Sequence, residues 1–208
     1  MKLIGSNTSP YVRKVRVYLD EAGLDYDFEV VDAWKPDPSL LVIAPIGKVP
    51  ILIRPGCEAL CESNLILEYL YTLVPAEKRL VPTEGEYRWQ VLRLQMLASG
   101  MIDAAATRTV ELRKPAPTQS PIVVDRELGR IDRLLIAFEN IAAPGRFIAG
   151  GERMTIADLV LGVALQYLDF RHTPDWRNSA PKLASWLTPI TQRPSFKRTL
   201  PLEFVTPT

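Results

Sequence analysis

Residues 2–15 read K-L-I-G-S-N-T-S-P-Y-V-R-K-V. The short apolar run 2–5 predicts a buried strand. Ser9-Pro10 predicts a helix start, because serine is a preferred N-cap and proline a preferred first helical residue. Val12, Val15, Leu19 and Ala22 follow at helical spacing, and Gly23 stands where a helix closes on a left-handed glycine. Residues 26–32 alternate as a second strand. Strand, helix and strand in this order build a right-handed βαβ unit with parallel strands.

Outward from that unit, residues 33–47 predict a proline-rich loop with a short helical turn near 39–44. Residues 49–54 predict a third strand, Pro55-Gly56 a tight turn, and residues 57–62 a fourth strand antiparallel to the third. Ser63 is the expected cap of a helix running to 73, with Leu65, Ile66, Tyr69 and Leu70 on its apolar face. The first part is therefore β-α-β followed by β-β-α. Residues 75–86 hold two prolines, a glycine and several charges, and strand signals stop beyond them. The expected organisation is an α/β domain over 1–76, a linker over 77–86 and an all-helical bundle over 87–208. Within the bundle, 87–113 and 124–141 carry helical spacing, the latter ended by Pro144-Gly145. Residues 155–170 are apolar on most faces, as a buried central helix would be. Thr155-Ile156-Ala157-Asp158 opens that helix as a capping box. Short helices are expected at 181–187 and 195–200.

Composition narrows the function classes. Among 208 residues, 25 are Lys or Arg and 24 Asp or Glu, a formal net charge of +1. That balance gives no electrostatic case for nucleic acid or an anionic membrane. No apolar run approaches the roughly 20 residues of a membrane span, and the start lacks the pattern of a secretory leader, so a cytoplasmic protein is expected. Cys57 and Cys61 are not a C-x-x-C motif. On one strand they would lie about 13 Å apart, beyond the ~7 Å that a disulfide allows, so they are expected to be structural thiols. A lone histidine, His172, with cysteines so placed does not make a metal centre.

Three places carry candidate chemistry. At residues 6–10, a helix N-terminus offers partial positive charge to an anion, and a thiol ionises more readily there. The Ser9 hydroxyl is placed to donate to such a thiolate, although Ser9-Pro10 is equally an ordinary helix start, and Thr8 is a rival hydroxyl. At Val49-Pro50, a trans peptide would be a plain strand start; a cis peptide would turn the Val49 backbone outward to pair with an extended peptide. At Glu62-Ser63, a helix terminus suits a carboxylate and the acidic side chain an ammonium, the two charges of an α-amino acid end.

In this order and spacing, residues 6–15, 47–52 (G-K-V-P-I-L), Glu62-Ser63 with Ile66, Glu68, Tyr69 and Leu70, and residues 155–158 resemble the glutathione transferase superfamily over nearly the whole chain. The similarity is greatest to its bacterial branch with serine at the first helix. The resemblance implies a thioredoxin-like first domain, glutathione as co-substrate, no metal, and conjugation of the thiolate to an electrophilic apolar molecule lodged between the domains. An isomerase, dehalogenase or peroxidase using glutathione, or a non-enzymatic interaction protein, are the alternatives on the same fold. It assigns Ser9 to the thiolate, Val49 before a cis Pro50 to the cysteinyl backbone, and Glu62 and Ser63 to the γ-glutamyl end. Lys35 is assigned to the glycyl carboxylate, and Asp158 to a structural cap. Met101, Asp103 and Arg108 on the long helix are candidates for the second substrate, with core packing or surface ion pairing as the other explanation. A homodimer is also implied, with Trp34, Trp89 and the helix beginning near Tyr87 as possible contributors. With residues 6–9 in the C-x-x-C place and no cysteine in that loop, disulfide exchange there is excluded.

Overall fold

The structure, a computed structural model, describes residues 1–35, 37–143, 145–172 and 175–201. They form two compact units, one of Met1–Leu80 with residues 194–201, the other of Val81–Arg193.

The first unit runs β1 (Lys2–Gly5), α1 (Pro10–Ala22), β2 (Asp27–Val30), α2 (Pro38–Ile43), β3 (Ile51–Ile53), β4 (Leu60–Cys61) and α3 (Ser63–Leu73). The sheet order is β2-β1-β3-β4. β1 and β2 are parallel, and the other two pairings are antiparallel. Strand alternation sends neighbouring side chains to opposite faces. Ile4 and Ile51 meet Ala44 and Leu40 on the face covered by α2. Leu3 and Leu52, paired in register, belong to the opposite face and are fully buried. Gly5 ends β1 where α1 comes closest: a Cβ there would stand 2.5 Å from a methyl of Val12. Gly23 closes α1 at φ 66°, its N–H reaching the Asp20 and Leu19 carbonyls.

The strands are shorter than alternation predicts, and β4 shows why. Cys57 N–H bonds back to the Arg54 carbonyl, and the Arg54 guanidinium holds the Glu58 carbonyl at 2.7 Å. That turn withdraws residues 57–59 from the ladder, so Cys57 is exposed in a turn and Cys61 sits on β4; both thiols are free. Burial raises the pKa of the Cys61 thiol.

The second unit contains α4 (Gly85–Leu112), α5 (Pro121–Ile141), α6 (Ile156–Arg171) and α7 (Pro181–Thr191). Every residue of α6 from Ile156 to Leu168 is buried, as its nearly all-round apolar pattern requires. The expected Pro144 terminus of α5 lies outside the described residues; α5 itself ends at Ile141. The final helix, α8 (Pro194–Arg198), packs on α1 in the first unit, although sequence alone groups it with the bundle. Arg13 of α1 is the anchor. Its side chain donates to the Thr199 hydroxyl at 3.3 Å and to the Phe196 carbonyl at 3.2 Å. Burial, helped by Arg16, brings its pKa down to about 9, so it stays a cation at neutral pH. Ser195 also donates to Glu21 and Arg198 pairs with Asp20.

Asp158 is fully buried at the start of α6. Its carboxylate accepts from Ile148 N–H at 2.6 Å and from the N–H and hydroxyl of Thr155, both at 2.8 Å. Burial raises its pKa and those bonds oppose the rise. Asp158→Ala leaves two buried backbone donors without an acceptor, a cost of about 2–4 kcal/mol. The expected outcome is a lower urea midpoint at unchanged slope; an unchanged midpoint contradicts this role.

Candidate functional site

The strand register decides which loops meet. Gly5 pairs with Val30, Ile4 with Ile51, and Ile51 with Cys61. The segments after β1, after β2, before β3 and after β4 therefore leave the same end of the sheet. These are the places of Ser9, Lys35, Val49-Pro50 and Glu62-Ser63. From β1 to β4 is two strand spacings, about 10 Å, which is the length of three extended residues.

Ser9 is the N-cap of α1, and its hydroxyl oxygen accepts from Val12 N–H at 3.3 Å. A hydroxyl both accepts and donates. Capping the helix therefore leaves its proton available to an anion at a helix N-terminus whose dipole favours one. The capping explanation and the thiolate explanation are compatible rather than rival.

The Val49-Pro50 peptide is cis. Val49 stands just outside the ladder, which begins at Ile51. A shallow cleft lined by Val31, Ala33, Leu40, Gly47 and Val49 joins the end of β2 to this segment.

Glu62-Ser63 differs from expectation in one respect. Glu62, not Ser63, is the N-cap of α3, and Ser63 is the first helical residue. Glu62 is also the one non-glycine residue with positive φ among the described residues, at 79°. Such a conformation costs about 1–3 kcal/mol. It is offset where the carboxylate folds back to accept from Asn64 N–H at 2.9 Å, Leu65 N–H at 3.1 Å and the Ser63 hydroxyl at 3.1 Å. The carboxylate is thus held in place at the start of α3, where Ser63 is the first helical residue.

Lys14 was not singled out by sequence reasoning. It is 1% exposed, and its ammonium donates to Asn64 Oδ1 at 2.7 Å, tying α1 to the first turn of α3. No sequence signal sets it apart, because α1 also carries Arg13, Arg16, Asp20 and Glu21; the fold alone shows Lys14 buried beside Val15, Val17 and Tyr18. Lys35 is exposed in the loop after β2, its N–H bonded to the Asp32 carbonyl.

The three second-substrate candidates lie on α4 in the second unit. Met101 is fully buried, Asp103 exposed and Arg108 half-buried. Met101 and Arg108 are seven residues apart, so they share a helix face; Asp103 does not. Arg108 Nη1 lies 2.9 Å from His172 Nδ1, at the end of α6. A guanidinium only donates, so Nδ1 accepts and the proton of the neutral ring sits on Nε2. Burial first, then the Arg108 charge, lowers the His172 pKa to about 4; the Ala105 backbone opposes. Among the described residues there is no group of three His, Cys, Asp or Glu able to hold a metal, and no helix is long and apolar enough to cross a membrane.

Comparison with known proteins assigns both parts of the chain to one superfamily. The glutathione S-transferase N-terminal domain family matches residues 3–78, and the C-terminal domain family residues 121–188. The uncharacterized GST-like protein YibF of Escherichia coli (strain K12) is 31% identical over 202 residues, covering 97% of this chain and 98% of its own. A glutathione S-transferase from Methylobacillus flagellatus KT, solved with glutathione bound, is 34% identical with a TM-score of 0.89, covering 97% of this chain and 99% of that one. A glutathione transferase family member from Pseudomonas fluorescens Pf-5, solved with S-(propanoic acid)-glutathione, is 33% identical with a TM-score of 0.81, covering 97% and 99%. The chain belongs to the glutathione transferase superfamily, with a thioredoxin-like N-terminal domain and a helical C-terminal domain.

His172 makes a pH prediction. Its folded pKa of about 4 lies below the ordinary 6.5, so its contribution to stability is full above pH 6.5 and is lost as pH falls toward 4. Discounting for the part-exposed ring, the loss is about 1–2 kcal/mol. The unfolding free energy of the wild type minus that of His172→Gln should fall by this amount between pH 7 and 4 in urea titrations. A difference constant with pH contradicts a neutral buried imidazole.

Proposed function

We propose that the loops at this end of the sheet bind glutathione and that the protein conjugates its thiolate to an electrophilic, largely apolar co-substrate. The observation that carries the reading is the strand register, which brings the four segments to one end of the sheet, those of Ser9, Val49-Pro50 and Glu62-Ser63 within about 10 Å. Glu62 takes the ammonium of the γ-glutamyl end, and Ser63 takes its carboxylate. The Val49 backbone pairs with the cysteinyl residue, and Lys35 meets the glycyl carboxylate. Ser9 donates its hydroxyl proton to the sulfur. Support comes from the two solved relatives, each above 30% identity and holding glutathione or a glutathione adduct.

The chemistry follows from charge. Ionising the thiol at the N-terminus of α1 is favoured by the dipole and by one charge-assisted hydrogen bond. The thiolate then forms a carbon–sulfur bond with the electrophile, and the leaving group departs with its electron pair. Each unit by which the thiol pKa falls is worth about 1.4 kcal/mol. Met101, Asp103 and Arg108 are the proposed second-substrate residues, of which Arg108 has the better chemistry because Met101 is sealed in the core. The working form is proposed to be a homodimer; Trp34 and Trp89 are each 64% exposed, an area a second copy would cover.

Ser9→Ala removes a hydrogen bond to a charged sulfur, about 1.5–3 kcal/mol. The pKa of bound glutathione, read from thiolate ultraviolet absorbance, should rise by about 1–2 units, and turnover at neutral pH should fall about 10–100-fold. Thr8→Val should change neither. An unchanged thiol pKa in Ser9→Ala removes Ser9 from the mechanism.

A further inference from the structure

Charged side chains that leave water are normally met by an acceptor. Arg13, Arg79, Arg88 and Arg177 follow this rule: each reaches a backbone carbonyl or a carboxylate. Arg108 does not. Its hydrogen bond goes to a ring nitrogen of His172, and its Nε is buried with no partner. No carboxylate lies within ion-pair distance of it among the described residues. The His172 ring is half-buried and also meets the Ala105 backbone. A buried donor is thus unsatisfied on a guanidinium that has no counter-ion among the described residues.

We propose that Arg108 and His172 form a carboxylate-recognition pair in the helical unit and that the second substrate carries such a group. This deepens the functional reading above and rests on it. The chemistry selects the ligand. The pair presents donors only and a single positive charge, because the imidazole is neutral. Its complement is an acceptor with one negative charge and two coplanar oxygens, which a guanidinium edge binds in bidentate fashion. His172 is a positioning residue: by accepting from Nη1 it holds the fork in place. Both residues are half-exposed, so the pair is not sealed from solvent as a whole.

The test uses two electrophiles that differ by one carboxylate, 4-chloro-3,5-dinitrobenzoate and 1-chloro-2,6-dinitrobenzene. In each, the thiolate forms a carbon–sulfur bond and chloride leaves with the bonding pair. In Arg108→Met the KM for the benzoate should rise at least about 10-fold, while the KM for the neutral compound stays within about two-fold. Arg108→Lys keeps the charge without the fork and should fall between the two; it also serves if the methionine variant does not fold. Equal effects on both electrophiles, or none on either, overturn the proposal. If neither compound is turned over, the conjugation reading fails by itself. Calorimetric titration with 3,5-dinitrobenzoate then decides the pair. About ten-fold weaker binding to the variants supports it, and equal affinity, or no binding to the wild type, overturns it.

Discussion

Four strands of two to four residues hold a register, and the candidate site depends on it. Hydrogen bonding between β1 and β3 sets Ile4 opposite Ile51, and β3 with β4 sets Ile51 opposite Cys61. Ladders this short carry little stability of their own. They are fixed by what packs on them: Leu3 and Leu52 on one face, Ile4 and Ile51 under Ala44 and Leu40 on the other. A slip of one residue would turn each of these side chains to the wrong face. It would also move the cis Val49-Pro50 segment and Glu62 away from the end of β1. The apolar pattern of the sheet and the geometry of the loops are therefore one constraint.

Around that frame, charge is placed with care. Glu62 accepts an unfavourable backbone conformation so that its carboxylate caps α3, and Lys14 grips the same turn from α1. α1 is in turn held by Arg13, which binds the returning C-terminal segment across 186 residues of sequence. The helix that presents Ser9 is thus braced by two buried cations, one toward α3 and one toward α8. In the second unit the buried polar groups at the start of α6 are satisfied by Asp158. Near its end, the buried Nε of Arg108 on α4 is not.

Local chemistry was legible in the sequence, and tertiary chemistry was not. The Ser9-Pro10 start of α1, its Gly23 stop and the Thr155–Asp158 box could be read because capping involves residues within four positions of each other. The order of elements in both domains could be read from periodicity. Strand ends could not, because a ladder stops where its partner turns away, as at Arg54 and Glu58. Glu62 as a cap was hidden because no propensity places glutamate at positive φ; the surrounding hydrogen bonds do. Lys14 and Arg13 look like a polar face until α3 and α8 are seen to cover them. The return of α8 to the first unit depends on contacts nearly the length of the chain apart.

The account rests on one tripeptide lying along the end of that sheet. Titrating glutathione into the isotope-labelled protein and following backbone amide shifts tests it most directly. The amides of Ser9, Val49, Ser63 and Lys35 should shift together along a single saturation curve, with one equivalent bound per chain. Shifts that saturate separately, that fall on other residues, or that fail to appear at millimolar excess would contradict it.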